Sequence, residues 1–234
     1  MNTSSRQLSL IKFVIAIIGL ALLTHCSMLP LGGPSVDPLR FQDLIDEYGQ
    51  ADSLEPPLKN AVLFVGSSSI QGWKSLKADF PEIDVINRGM GGSHMSDLNY
   101  YLDELVFAYQ PNAIVVYEGD NDIASGKSPK TVYKDFTKFM KQVRSKWPNL
   151  PVFFISIKPS ISRVGVIENM AEANALIKTY IESQDNLYYV DVFTPMLDDK
   201  GQPREDIFGH DGLHMNATGY ALWTQVLKKE MGIE

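Results

Sequence analysis

Along this chain the apolar residues fall in short runs, separated by longer stretches in which they recur every three or four positions. The runs are Ala61–Val65, Ile83–Ile86, Ala113–Tyr117, Val152–Ile157 and Leu187–Val190, rich in Val, Ile, Phe and Tyr. None alternates apolar with polar, as a strand with one wet face would. Such runs predict strands buried on both sides, the habit of parallel sheets. Between and after them, helical spacing predicts helices over Asp97–Tyr109, Thr131–Lys146, Asn169–Glu182 and about Ala217–Lys229. Right-handed crossovers between parallel strands put helices on both faces. The expected fold class is therefore α/β, a three-layer α/β/α sandwich of about five parallel strands.

Ahead of the first strand, Phe41, Leu44, Ile45 and Tyr48 stand at i, i+3, i+4 and i+7. They predict a short amphipathic helix packed on the outside of the domain, closed by Glu55-Pro56-Pro57. Met28–Pro38 holds three prolines and two glycines with no apolar period, and reads as a tether. Further upstream, Arg6 and Lys12 precede the apolar run Phe13–Leu23, which Thr24-His25-Cys26 follows. A spanning helix needs roughly 20 apolar residues, so this run is short for one and has the order of an export signal. It resembles a lipoprotein signal, in which Cys26 would become the lipidated first residue; His25 departs from the small residue preferred there. The expected division is 1–25 as signal, 26–38 as tether and 39–234 as the folded domain. The protein is then expected to be exported and anchored to a bacterial envelope membrane through its N-terminus.

Composition narrows the function. The chain is 44% hydrophobic and 21% charged, as globular domains are. Its net charge is -7, and without the two basic residues of the signal 28 acidic side chains face 19 basic ones. That balance argues against a nucleic-acid partner, which requires a basic face. Cys26 is the only cysteine, so neither an intrachain disulfide nor a cysteine metal cluster is available.

In an open parallel sheet the ligand sits beyond the carboxyl ends of the strands. The polar residues that follow the first three strands are Gly66-Ser67-Ser68-Ser69, Asn87-Arg88-Gly89-Met90-Gly91-Gly92 and Glu118-Gly119-Asp120-Asn121-Asp122. Asp211-Gly212-Leu213-His214 precedes the last helix on the same rim. A serine becomes a nucleophile when a base takes its proton and a third group orients the base. Any of Ser67, Ser68 and Ser69 could serve, and each could equally cap a helix. Asp211 and His214 can meet across one turn, and the carboxylate would fix the imidazole tautomer. The glycine turn can expose backbone N–H groups and Asn121 a side-chain donor toward a developing oxyanion. His210 and His214 have metal-ligand spacing but no third ligand. Asp120-Asn121-Asp122 begins like a calcium loop, yet Ala124 and Ser125 stand where a ligand and a glycine are needed. Each motif has a plain structural explanation; their coincidence on one rim points to acyl transfer.

The order Gly66-Ser67-Ser68, Asn87-x-Gly89-x-Gly91-Gly92, Gly119-x-Asn121 and Asp211-x-x-His214 resembles the four blocks of the SGNH (GDSL-type) hydrolase superfamily. Val65-Gly66-x-Ser68-x-Ile70-Gln71 is closest to its platelet-activating-factor acetylhydrolase-like branch. The resemblance spans about Ala61 to Lys228 and implies a flavodoxin-like α/β/α fold and hydrolysis of carboxylic esters without metal or cofactor. It implies Ser68 as nucleophile, His214 as general base and then acid, and Asp211 as its partner. The oxyanion hole it implies comprises the Ser68 and Gly92 N–H groups and the Asn121 side chain. Ser67 stands where the family often has Asp. His94, after the glycine turn, is a candidate substrate contact, against a plain role in an exposed loop. The implied partners are a small-molecule, carbohydrate or lipid ester and, through the N-terminus, the membrane.

Three other functions compete. An acyltransferase would use the same residues with a sugar or lipid hydroxyl in place of water. A phosphate- or flavin-phosphate-binding protein would use the serine-rich loop at a helix N-terminus, but would leave Asp211, His214 and Asn121 without a purpose. The last is an envelope module without catalytic activity.

Overall fold

A computed structural model describes residues 37–233. The expected signal, Cys26 and most of the tether lie outside the described residues. Five parallel strands, β1 (Val62–Gly66), β2 (Val85–Gly89), β3 (Ala113–Tyr117), β4 (Val152–Ile155) and β5 (Leu187–Val190), form one sheet in the order β2-β1-β3-β4-β5. Helices cover both faces, so the α/β/α sandwich expected from the apolar runs is the architecture observed.

The apolar runs have a direct cause. Successive side chains of a strand point to opposite faces, and here each face is a core. Leu63, Val65, Ile114, Val116, Val152 and Phe154 join one cluster, packed against helices α1 (Gln42–Leu54), α6 (Pro129–Lys146) and α7 (Ile167–Ile181). Val62, Phe64, Val115, Tyr117, Phe153 and Ile155 join the other, with Leu76 of the short helix α3 (Leu76–Asp79) and the last helix, α8 (Ala217–Met231). On that second face Trp73 lies edge-on to Phe64 and Trp223, with ring centroids 5.9 Å apart in both cases. Truncating so enclosed a ring costs about 3–5 kcal/mol. Phe41, just ahead of α1, and Ile45 within it are buried, and the Tyr48 hydroxyl donates to the Gly89 carbonyl at 2.7 Å. Among the described residues, no helix is long and apolar enough to cross a membrane.

Most expected elements lie within two residues of those observed, and three of the departures have a visible cause. β2 begins and ends later than Ile83–Ile86, taking in Asn87, Arg88 and Gly89. These polar residues extend the ladder because distant groups satisfy them. Arg88 pairs with Asp52 and also donates to the Tyr109 hydroxyl at 2.5 Å. The helix expected over Asp97–Tyr109 is two pieces, α4 (Met95–Tyr100) and a wider-wound turn at Asp103–Phe107, separated at Tyr101. β4 stops two residues early. The Ser156 hydroxyl accepts from the N–H groups of Val192 and Phe193, and Asn174 brackets Ile157, so side chains take over where the ladder stops.

The strand order sets the site. β1 sends its crossover to β2 on one side, while β3 pairs with its other side, so the chain reverses direction across the sheet between β1 and β3. A crevice opens at such a switch point. Ser68 follows β1 and Asn121 follows β3, on either side of it.

Candidate active site

The loop after β1 is pinned from both neighbours. Met90 N–H donates to Gly66 O at 2.6 Å, and Ser67 N–H to Tyr117 O at 3.1 Å. Gly66 has φ +138°, and a β-carbon there would lie 2.0 Å from Tyr117 O. Only glycine allows the bend that turns the chain into the short helix α2 (Ser68–Gln71). Gly89 is required by proximity instead: a β-carbon on it would fall 2.2 Å from the Gln71 nitrogen. Asn87 clamps the two segments, donating to Ile70 O at 2.6 Å and accepting from Gly89 N–H at 3.0 Å.

Of the three serines, Ser68 alone meets the imidazole. Its Oγ lies 3.0 Å from His214 Nε2, and His214 Nδ1 lies 2.6 Å from Asp211 Oδ2. Ser67 and Ser69 are buried; Ser67 stands at the N-cap of α2, but its hydroxyl makes no capping bond and has no partner among the described residues. Both ring nitrogens of His214 are engaged in this row, so the metal-like spacing with His210 is not put to use.

Asp211 and His214 share a tight loop. Gly212 N–H donates to Gly209 O at 3.0 Å and Gly209 N–H to His214 O at 2.8 Å. Asn216 then caps α8 with its side chain. Asp211 Oδ1 accepts the Leu213 and His214 N–H groups, both at 3.0 Å. The Leu213 N–H, the imidazole and the His214 N–H together hold the Asp211 carboxyl well below the usual carboxylate range. It stays ionised while hydrogen-bonded to the imidazole. Nearly half of the His214 side chain is exposed, so the row opens to solvent.

The glycine turn reaches the same place. A β-carbon on Gly91 would lie 3.9 Å from Ser68 Cβ, while Gly92, at φ +82°, has open space on that side. Asn121 enters from the short helix α5 (Asp120–Ala124) and donates from Nδ2 to Ser93 O, immediately after the turn, at 2.9 Å. Its Oδ1 accepts from Arg163 Nη2 at 2.7 Å. One amide hydrogen of Asn121 remains for another acceptor.

Several groups of this region hold positions that the sequence did not reveal, Arg163 and Lys158 among them. Arg163 Nη1 lies 2.9 Å from Asp120 Oδ2, and Lys158, 1% exposed, donates to Leu213 O at 2.9 Å. Glu118 is fully buried behind the turn and accepts from the Ser93 hydroxyl. Burial, then the nearby Asp122 carboxylate, push its carboxyl well above the ordinary value. The exposed-loop expectation for His94 is overturned: it is 6% exposed, and burial lowers its pKa. Its Nδ1 has no partner among the described residues, and its backbone N–H donates to Asp97 Oδ2 at 2.8 Å. The Asp120-Asn121-Asp122 triplet forms a helical turn, with Asp120 paired to Arg163 and Asp122 to Lys127 at 2.8 Å.

Fold and site together define an α/β/α protein with a serine–imidazole–carboxylate row at its switch point. The family model described as GDSL-like Lipase/Acylhydrolase matches residues 48–222, so the chain belongs to that family, whose members are carboxylic ester hydrolases. Among solved structures, a provisionally assigned platelet activating factor from Streptococcus pneumonia is 21% identical, with a TM-score of 0.73, over 82% of this chain and 92% of that one. A GDSL-like lipase from Bacteroides thetaiotaomicron is 17% identical, with a TM-score of 0.68, over 80% and 97%. A family 3 carbohydrate esterase from Clostridium thermocellum is 14% identical, with a TM-score of 0.60, over 74% and 96%. At these identities the likeness is one of fold. No curated protein matches the chain at a significant level.

Proposed function

We propose that the protein cleaves esters of short acyl groups, acetyl above all, through an acyl-enzyme on Ser68. Ser68 Oγ attacks the ester carbonyl carbon while its proton passes to His214 Nε2. The tetrahedral oxyanion accepts from the Ser68 N–H, the Gly92 N–H and the free amide hydrogen of Asn121. Collapse breaks the bond to the alcohol, which leaves with the proton from His214. A water then adds to the acyl carbon, giving its proton to His214, and the acid departs as Ser68 regains a proton. Asp211 holds Nδ1 protonated throughout, leaving Nε2 as the acceptor. No step calls for a metal or cofactor.

The observation that carries this reading is the continuous row from Ser68 Oγ through His214 to Asp211, with links of 3.0 and 2.6 Å. Phosphate binding would leave that row without a purpose. The short-acyl preference rests on the acetylhydrolase-like block Val65-Gly66-x-Ser68-x-Ile70-Gln71. Labelling with a fluorophosphonate, followed by mass spectrometry of the peptide, tests the mechanism. The adduct is expected on Ser68, absent in Ser68→Ala, and retained in Ser67→Ala and Ser69→Ala. An adduct on a neighbouring serine, or none on folded protein, would overturn it.

The proposal includes an exported protein tethered to the envelope by lipid on Cys26. Cys26→Ser should release the protein from membranes or leave an unprocessed precursor. Unchanged mass together with membrane retention would count against lipidation.

A further inference from the structure

We infer that Arg163 is a positioning residue for the oxyanion donor Asn121, an inference that rests on the esterase reading above. A carboxamide has two ends of similar shape and opposite polarity, and only its neighbours decide which end faces the substrate. Here both ends are fixed. Nδ2 donates to Ser93 O at 2.9 Å, and Oδ1 accepts from Arg163 Nη2 at 2.7 Å. A flipped carboxamide would set its oxygen against the Ser93 carbonyl and its NH2 against a guanidinium, two repulsive contacts in place of two attractive ones. With Arg163 present, the remaining amide hydrogen is held as a donor.

Arg163 is itself held. Its side chain is 17% exposed and paired with Asp120 Oδ2 at 2.9 Å, while Asp120 Oδ1 accepts the Asn121 N–H at 2.9 Å. Its backbone departs from helical geometry within Ile161–Val166, at φ -121° and ψ 21°. The segment is fastened to the histidine loop by Ser162 N–H donating to Gly212 O at 3.1 Å. Asp120 also faces the buried Lys158 ammonium at 3.6 Å, and that ammonium donates to the Leu213 carbonyl between Asp211 and His214. One chain of polar contacts thus joins the Asn121 carboxamide to the loop that carries the base. The guanidinium also lies behind the carboxamide oxygen, where its charge polarises the amide toward donation. A preorganised donor acts when charge develops on the substrate oxygen, so its loss appears in the chemical step.

The test is a double-mutant cycle on the full chain with p-nitrophenyl acetate. Arg163→Met should lower kcat by roughly 10–100-fold, with KM almost unchanged, because the donor is misdirected rather than removed. In an Asn121→Ala background the same change should cost less than about twofold, no more than the scatter seen when uncoupled changes are combined. Arg163→Lys keeps the charge but not the planar fork, and should fall between wild type and Arg163→Met. That smaller loss should also vanish beside Asn121→Ala, so the conservative variant carries the test if Arg163→Met fails to fold. An equal fold-loss in both backgrounds, or a loss confined to KM, would overturn the inference. Retained turnover in Ser68→Ala would instead overturn the esterase reading, so the two failures are distinguishable.

Discussion

Asp211→Asn probes the link of the site that no substrate touches. Asp211 Oδ1 accepts two backbone N–H groups at 3.0 Å, and Oδ2 faces His214 Nδ1 at 2.6 Å. An asparagine can keep its oxygen on the two N–H groups only by presenting its NH2 to Nδ1. Nδ1 must then be the unprotonated nitrogen, and the ring carries its hydrogen on Nε2, aimed at Ser68. The base becomes a donor. Where such a carboxylate is buried, the reversal costs roughly 10⁴-fold in kcat. Here the Asp211 and His214 side chains are 39% and 49% exposed, so water can partly support the productive tautomer. A loss of about 10³-fold is expected, equivalent to about 4 kcal/mol at the transition state. The assay is kcat on a chromogenic acetyl ester, with the thermal midpoint and circular dichroism as controls for folding. Because both backbone hydrogen bonds survive, the midpoint should move by no more than about 3 °C. A folded variant that loses less than tenfold would refute the role of Asp211 in fixing the imidazole.

Two further outcomes test the surroundings. Glu118 is protonated more readily in the folded state than when unfolded, because burial and Asp122 raise its pKa. Above the unfolded value of about 4.3, the folded chain therefore holds a proton that the unfolded chain has lost, and stability falls by up to about 1.4 kcal/mol per pH unit until the folded group ionises. Glu118→Gln lacks this slope, so its urea midpoint relative to wild type should rise between pH 5 and pH 7; a constant difference would refute the assignment. Gly66→Ala would set a methyl 2.0 Å from Tyr117 O at φ +138°, and strain with overpacking should cost about 3 kcal/mol or more. That predicts a thermal midpoint lower by about 10 °C, and an unchanged midpoint would contradict the close approach.

Legibility along the chain follows the reach of the forces involved. β3 and β5 were placed to the residue: β3 is buried at every position and has no alternative to an apolar run, and β5, at the sheet edge, keeps buried ends around two half-buried tyrosines. β2 was misplaced because Asn87 and Arg88 look like loop. What keeps them in the ladder is supplied by Asp52, Tyr109 and Ile70, which no local pattern connects to them. The break at Tyr101 was hidden for the opposite reason. Leu98, Tyr101, Leu102 and Leu105 keep a helical period and all reach the core, so the winding changes without disturbing the pattern. At the site, Ser68, Asp211, His214 and Asn121 could be found because the chemistry needs these residue types at strand ends and the family blocks mark them. Arg163 and Lys158 act through partners 42 and 55 residues away, and nothing in their immediate sequence names those partners. A signal was nevertheless present. Lys158-Pro159-Ser160 follows the β4 run as Gly66-Ser67-Ser68 follows β1, and the rule that strand ends face the ligand applies to every strand of such a sheet. Two cations just beyond an apolar strand, in a chain with excess acid, must find acceptors where they emerge. The acceptors there are Asp120, the Asn121 carboxamide and the Leu213 carbonyl, so the positive charge beyond β4 is tied to both sides of the crevice.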